Sequence, residues 1–165
     1  MVFLNLKQAM SDPMKAEALK IDKDDLISFS NNAASFVNLR FLVINNKKWV
    51  IVNYDGRVDT NTVIKITLPN SIVKLKNLKA LILINYYIDH LPNDISSLTK
   101  LESLKLAFTH DANLAIEINK IKSIKNIREV DLSNSLITPK LIKEEFKDSP
   151  QIKLLLVHGD IEPKY

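Results

Sequence analysis

The sequence predicts an α/β fold of stacked strand-and-return units, forming one domain over residues 1–165. Three observations carry that expectation. An apolar triplet of constant spacing recurs along the chain, Leu-Pro steps open return segments between copies, and both ends carry short amphipathic stretches suited to covering an open core. With 46% hydrophobic and 25% charged residues, the composition is that of a globular domain and not of a disordered tail.

The amino-terminal stretch forms a cap, residues 1–15. Phe3, Leu6 and Met10 fall on one side of a helix over residues 3–10, which Ser11-Asp12-Pro13 ends. Six units follow over residues 16–157: Ala16-x-x-Leu19-x-Ile21, Leu39-x-x-Leu42-x-Ile44, Leu78-x-x-Leu81-x-Leu83, Leu101-x-x-Leu104-x-Leu106, Ile127-x-x-Val130-x-Leu132 and Ile152-x-x-Leu155-x-Val157. The last two apolar positions of each unit are two apart, so they point to one side of a short strand. Leu91, Ile95 and Leu98 then recur at the spacing of a helical or 3₁₀ return facing the same core. No unit encloses that core alone, so the strands stack side by side as a parallel sheet.

One interval is long. Leu39 to Leu78 spans 39 residues, one repeat plus 16, and the extra piece lies over residues 47–62. The β-rich run Trp49–Val52, the turn signal Asp55-Gly56 and a second run Val63–Leu68 predict an inserted hairpin. Near the other end Thr138-Pro139 supplies an N-cap and a first-turn proline. The helix it opens runs through Leu141, Ile142, Glu145 and Phe146 to about Asp148, and residues 158–165 form a polar tail.

Leu78-Lys-Ala-Leu81-Ile-Leu83, followed by Leu91-Pro92-Asn-Asp-Ile95-Ser-Ser-Leu98, resembles the leucine-rich repeat family in its 23-residue form. The resemblance implies a short, curved, right-handed solenoid with the sheet on its concave side, helical or 3₁₀ returns on its convex side, an amino-terminal capping helix and the hairpin inserted in the second repeat. It also implies asparagine eight positions after the first leucine of each unit, where this chain has Asp24, Lys47, Tyr86, Thr109 and Ser135. Irregular turns are therefore expected after the second and third strands. Abundant Lys, Ile and Asn suggest an AT-rich, bacterial coding sequence.

The register sets three outward columns: Ala18, Phe41, Ala80, Ser103, Glu129, Leu154; then Lys20, Val43, Ile82, Lys105, Asp131, Leu156; then Asp22, Asn45, Ile84, Ala107, Ser133, His158. The resemblance implies that this face binds a protein partner, and the inserted hairpin either extends that binding surface or packs over an edge of the sheet. Phe41, Val43, Ala80, Ile82 and Ile84 make an apolar patch with Tyr86 and Tyr87 at its rim, a contact surface unless the hairpin folds back over it. The expected partner-binding residues are Phe41, Val43, Ile82, Ile84, Tyr86 and Lys105, with Glu129 and Asp131 setting polarity. Leu154 and Leu156 add an apolar spot on the last strand, from which a homodimer could form. The alternatives to a binding scaffold are that self-assembling module and a regulatory fragment of a larger effector.

Other functions find little footing. With no cysteine and two glycines, the chain has no thiolate metal site, cysteine nucleophile or glycine-rich phosphate loop. The histidines, His90, His110 and His158, are scattered, and no serine comes together with a histidine and a carboxylate; His110-Asp111 reads as a solvated turn more readily than a cation contact. No enzyme activity, cofactor or metal is expected. The net charge of +4 comes mostly from lysines, Lys74, Lys76 and Lys79 and then Lys120, Lys122, Lys125 and Arg128, without interleaved aromatics. They read as a solvated face and not as a nucleic-acid patch. No apolar run is long enough to span a membrane. The opening Met1–Met10 does not read as a signal peptide, an expectation that favours a cytoplasmic setting.

Overall fold

The computed structural model describes residues 1–46 and 64–156. Its described strands form one seven-stranded, all-parallel sheet in which spatial order follows chain order. The strands are β1 (Val2–Phe3), β2 (Ala18–Ile21), β3 (Phe41–Asn45), β4 (Ala80–Ile88), β5 (Ser103–Phe108), β6 (Glu129–Asp131) and β7 (Lys153–Leu155). Helices α1 (Leu6–Ser11), α2 (Leu26–Asn32), α3 (Leu114–Lys122) and α4 (Pro139–Phe146), with 3₁₀ turns at Pro13–Lys15, Ala33–Ser35, Asn70–Lys74 and Ile95–Ser97, lie between them.

The alternation of apolar residues decides which side of the sheet is covered. Leu19, Leu42, Leu81, Leu104 and Val130 align across β2 to β6 and are buried. They share one core with Leu6 of α1, Phe29 of α2, Ile118 and Ile121 of α3, and Ile142 of α4. The helices are thus layered on the inward side of the sheet. Phe29 and Phe36 meet beneath β2 and β3 with ring centroids 5.5 Å apart.

Strand entry is held by a regular set of backbone bonds. The amides of Arg40 and Phe41 both donate to Glu17 O, those of Lys79 and Ala80 to Arg40 O, those of Glu102 and Ser103 to Lys79 O, and those of Arg128 and Glu129 to Glu102 O. Asparagine side chains brace the same edge: Nδ2 of Asn38, Asn77 and Asn126 donates to Met14 O, Val37 O and Thr99 O at 2.6–2.7 Å. Carbonyls that would otherwise need water are satisfied between successive turns.

Several expectations need correction. The short curved solenoid does not form, because the sheet is open and not curled. Steady curvature needs the same rotation at every step of a stack, whereas these returns differ in kind. A helix plus a 3₁₀ turn separates β2 from β3, a single 3₁₀ turn precedes β5, and α3 precedes β6. The helix expected over residues 3–10 begins later, at Leu6, where Asn5 Oδ1 accepts from the Gln8 amide at 2.9 Å. Phe3 lies instead in β1, extending the sheet.

The register also departs from expectation at two places. Asn85 adopts φ 57° inside β4, a left-handed conformation that asparagine tolerates better than most residues. The β4–β5 register shifts between Ile82 and Tyr87, so Ala107 pairs with Tyr87 and not with Ile84. In β7, Val130 pairs with Leu154 and Asp131 with Leu155. That is one residue off the Ile152-x-x-Leu155 alignment, and such a slip exchanges the faces of every side chain. Leu154 and Leu156 therefore pack against the core and do not form an outward apolar spot.

The inserted hairpin, residues 47–62, lies outside the described residues. Of its expected second run, residues 64–68 are described, with a parallel bridge between Lys65 and Tyr87. The Thr138 N-cap position and Pro139 at the first turn of α4 are in place, although no capping bond comes from the threonine side chain.

Candidate functional site

The outward face of the sheet divides into two unlike halves. On β2 to β4 the first row is Ala18, Phe41 and Ala80 and the second is Lys20, Val43 and Ile82, with Asn45 and Ile84 paired beyond them. Phe41 is 42% exposed, Val43, Ile82 and Ile84 are half-buried, and Ala80 is buried. These apolar side chains are neighbours because parallel pairing in register puts every second residue of adjacent strands on one face. The guanidinium of Arg40 lies 5.7 Å from the Phe41 ring centroid, within cation–π range.

On β5 to β7 the same rows hold Ser103, Glu129 and Lys153 and then Lys105, Asp131 and Leu155, polar apart from Leu155 and with their charges matched. Lys105 Nζ donates to Asp131 Oδ2 at 2.6 Å, and Lys153 Nζ donates to Glu129 Oε2 at 2.9 Å. Burial opposes ionisation of Asp131, but hydrogen bonds from Lys105 and from the side chain and backbone of Ser133 outweigh it and hold this carboxyl below its ordinary range. Lys105 and Asp131, expected to contact a partner and to set polarity, bond instead to each other. The Glu129 pairing was not expected, because the slip in β7 substitutes Lys153 for Leu154.

Tyr86 is not at the rim of the patch. The left-handed turn at Asn85 rotates it inward, where it is buried in the core and its hydroxyl accepts from the Lys23 amide at 3.1 Å. Desolvation raises its pKa above the ordinary tyrosine value. Tyr87 is also buried, joined through its backbone to residues 64–66. Asn46 and Asn85 exchange side-chain bonds to each other's carbonyls, both at 3.3 Å, which fixes the bulge against the end of β3. Of the other turn positions, Thr109 donates to Asp89 and accepts from the Asp111 amide, while Ser135 Oγ accepts from the Phe108 amide at 3.1 Å.

Elsewhere the titratable groups serve the fold. Glu117 is buried, accepting from the Leu91 amide at 2.7 Å and from Lys120 Nζ at 3.0 Å. Nothing in Leu114-Ala-Ile-Glu-Ile distinguishes it from a solvated helix glutamate. Lys122 bonds to Asp148 at 2.6 Å, and Lys76 to Ser97 Oγ at 3.1 Å, so the lysine groups are spread among separate partners. Asp111 bonds to Lys65 at 2.6 Å, which lowers its pKa. His90 and His110 are exposed, and His158 lies outside the described residues. Among the described residues no group of three or more His, Cys, Asp or Glu could hold a metal ion, and no helix is long and apolar enough to cross a membrane.

The asparagines bracing strand entry were the legible signal that the sequence reading missed. Asn38-Leu39, Asn77-Leu78 and Asn126-Ile127 repeat at the start of three units, one position before the first apolar residue of each triplet. The expected leucine-rich repeat membership is not upheld: besides the uncurled sheet, no family model and no curated protein matches this chain.

Proposed function

We propose that the protein is a non-catalytic interaction module that binds a protein partner through the outward face of β2 to β4. The supporting observation is the contiguity of Phe41, Val43, Ile82 and Ile84 on adjacent strands, opposite the side on which the helices are layered. An apolar sheet face of this kind gains free energy when a second surface removes it from water. Lys105, Glu129 and Asp131 border that surface as a neutral, internally paired rim.

The test uses the full chain with Phe41→Asp and Ile82→Asp, each compared with the native protein in a thermal melt and in crosslinked capture of the partner. Both variants are expected to stay folded, with Tm lowered by no more than about 4 °C, and to lose a partner that the native chain retains. Unfolding of either variant places those side chains in the core and ends the reading. Light scattering over a wide concentration range decides between this and self-association, for which a stable dimer that both variants abolish is the signature.

A further inference from the structure

Resting on that reading, we infer that the partner element is a short apolar segment carrying carboxylates at the end that meets the strand entry edge. Size is the first argument. Outward positions along a strand are about 6.7 Å apart and strands about 4.8 Å apart, so three rows on the three strands β2 to β4 cover about 300 Å² by the same spacing. A stable interface between two folded domains needs about 800 Å² from each. A second copy of this chain, docked on these rows alone, falls well short, whereas one strand or two helical turns of a partner matches them.

Charge supplies the polarity. At the entry edge Arg40, Lys79 and Lys100 line a shallow surface depression with Glu17 and Glu102 nearby. Lys79 pairs with Glu102 at 3.6 Å and Glu17 with the terminal amine at 3.5 Å. Lys100 bonds only to the neutral Asn77 Oδ1, and Arg40, lying over Phe41, has no ion-pair partner among the described residues. Among the described residues, two cations thus lack an ion-pair partner where the apolar rows begin. At the exit end of β2, Lys23 pairs with Asp24, while Asp22 and Asp25, beside Lys20, accept from the Asp24 and Asp22 amides. Carboxylates at the exit end would meet those aspartates, whereas at the entry end they complete the field around Arg40 and Lys100.

The experiment selects random twelve-residue peptides displayed on phage against the immobilised full chain. It is run in parallel against Arg40→Glu/Lys100→Glu and against Phe41→Asp/Ile82→Asp. The native chain is expected to enrich apolar peptides with Asp and Glu raised about twofold at one end, as complementarity requires. The charge-reversed chain is expected to bind those peptides about fivefold more weakly, the scale of two exposed ion pairs, and to enrich Lys and Arg instead. Apolar peptides that are neutral or basic on the native chain overturn the acidic inference while leaving the binding face standing. Peptides that bind the Phe41→Asp/Ile82→Asp chain equally well overturn the face itself, and with it the inference. Failure of the native chain to enrich any sequence does the same.

Discussion

Removing the Glu117 carboxylate tests whether the helix layer is locked to the sheet as the structure indicates. Glu117 is 3% exposed, accepts from the Leu91 amide at 2.7 Å, and pairs with Lys120, whose ammonium also donates to Leu91 O at 2.9 Å. Glu117→Ala strands the Leu91 N–H at a cost of about 1–3 kcal/mol. It also deprives Lys120 of its counterion, and breaking a buried pair by removing one partner costs about 3–5 kcal/mol in full burial. Lys120 keeps the Leu91 carbonyl and 18% exposure, so the low end applies, about 3 kcal/mol in total. For a chain of this length that is about 6–12 °C in Tm. Glu117→Gln keeps an amide oxygen for the Leu91 amide and is expected to lose about half as much, since only the charge is removed. Thermal unfolding followed by circular dichroism reads both. A fall of less than about 3 °C for Glu117→Ala, below what one stranded donor costs, would refute the reasoning.

Two further outcomes follow from the same geometry. Asn85→Ala is expected to cost about 2 kcal/mol, combining the clash of a Cβ in the left-handed region, without asparagine's polar compensation, and the lost bond to Asn46 O, whereas Asn85→Gly loses only the bond, about 1 kcal/mol; denaturant titration separates them, and equal losses would count against strain at that position. Asp131 has a folded-state pKa below its unfolded value, so its contribution is present above the unfolded pKa and disappears as pH falls through the folded one. The native chain is therefore expected to be more stable than Asp131→Asn at pH 6, with the gap closing on acidification below about pH 4; a gap unchanged down to pH 2 would contradict the assignment.

The inward residues of β2 to β6 were legible because parallel strands burying one side impose a period of two, and the Leu19, Leu42, Leu81, Leu104 and Val130 alignment follows from it. What failed was whatever one residue could overturn. Ile152-Lys-Leu-Leu-Leu offers three consecutive leucines, and periodicity cannot say which of them faces the core. Tyr86 at the turn position marked this end of the strand as irregular, but nothing in Asn85-Tyr86-Tyr87 showed that the chain would pass through a left-handed residue, so the tyrosine expected at the rim went inward. The local triplet spacing likewise carried no information on whether successive returns would be equal in bulk, and that equality is what a curved stack requires. Glu117 was hidden for a related reason: its partner amide is 26 residues away, supplied by a turn rather than by its own helix.

These local failures concentrate the functional argument. On β5 to β7 the slip brings Lys153 beside Glu129, and the Lys105–Asp131 bond already fills the neighbouring row, so each charge on that half has a partner within the fold. A ligand contacting those pairs would exchange one set of ion contacts for another, with little net gain at such exposure. On β2 to β4 the tyrosines have left the surface, leaving aliphatic rows capped by Phe41 and by Arg40, which has no ion-pair partner among the described residues. There, contact with a second surface removes contiguous apolar side chains of adjacent strands from water without first breaking an ion pair. On the proposed reading, the free energy for recognition therefore comes from β2 to β4, and the paired half contributes little to it.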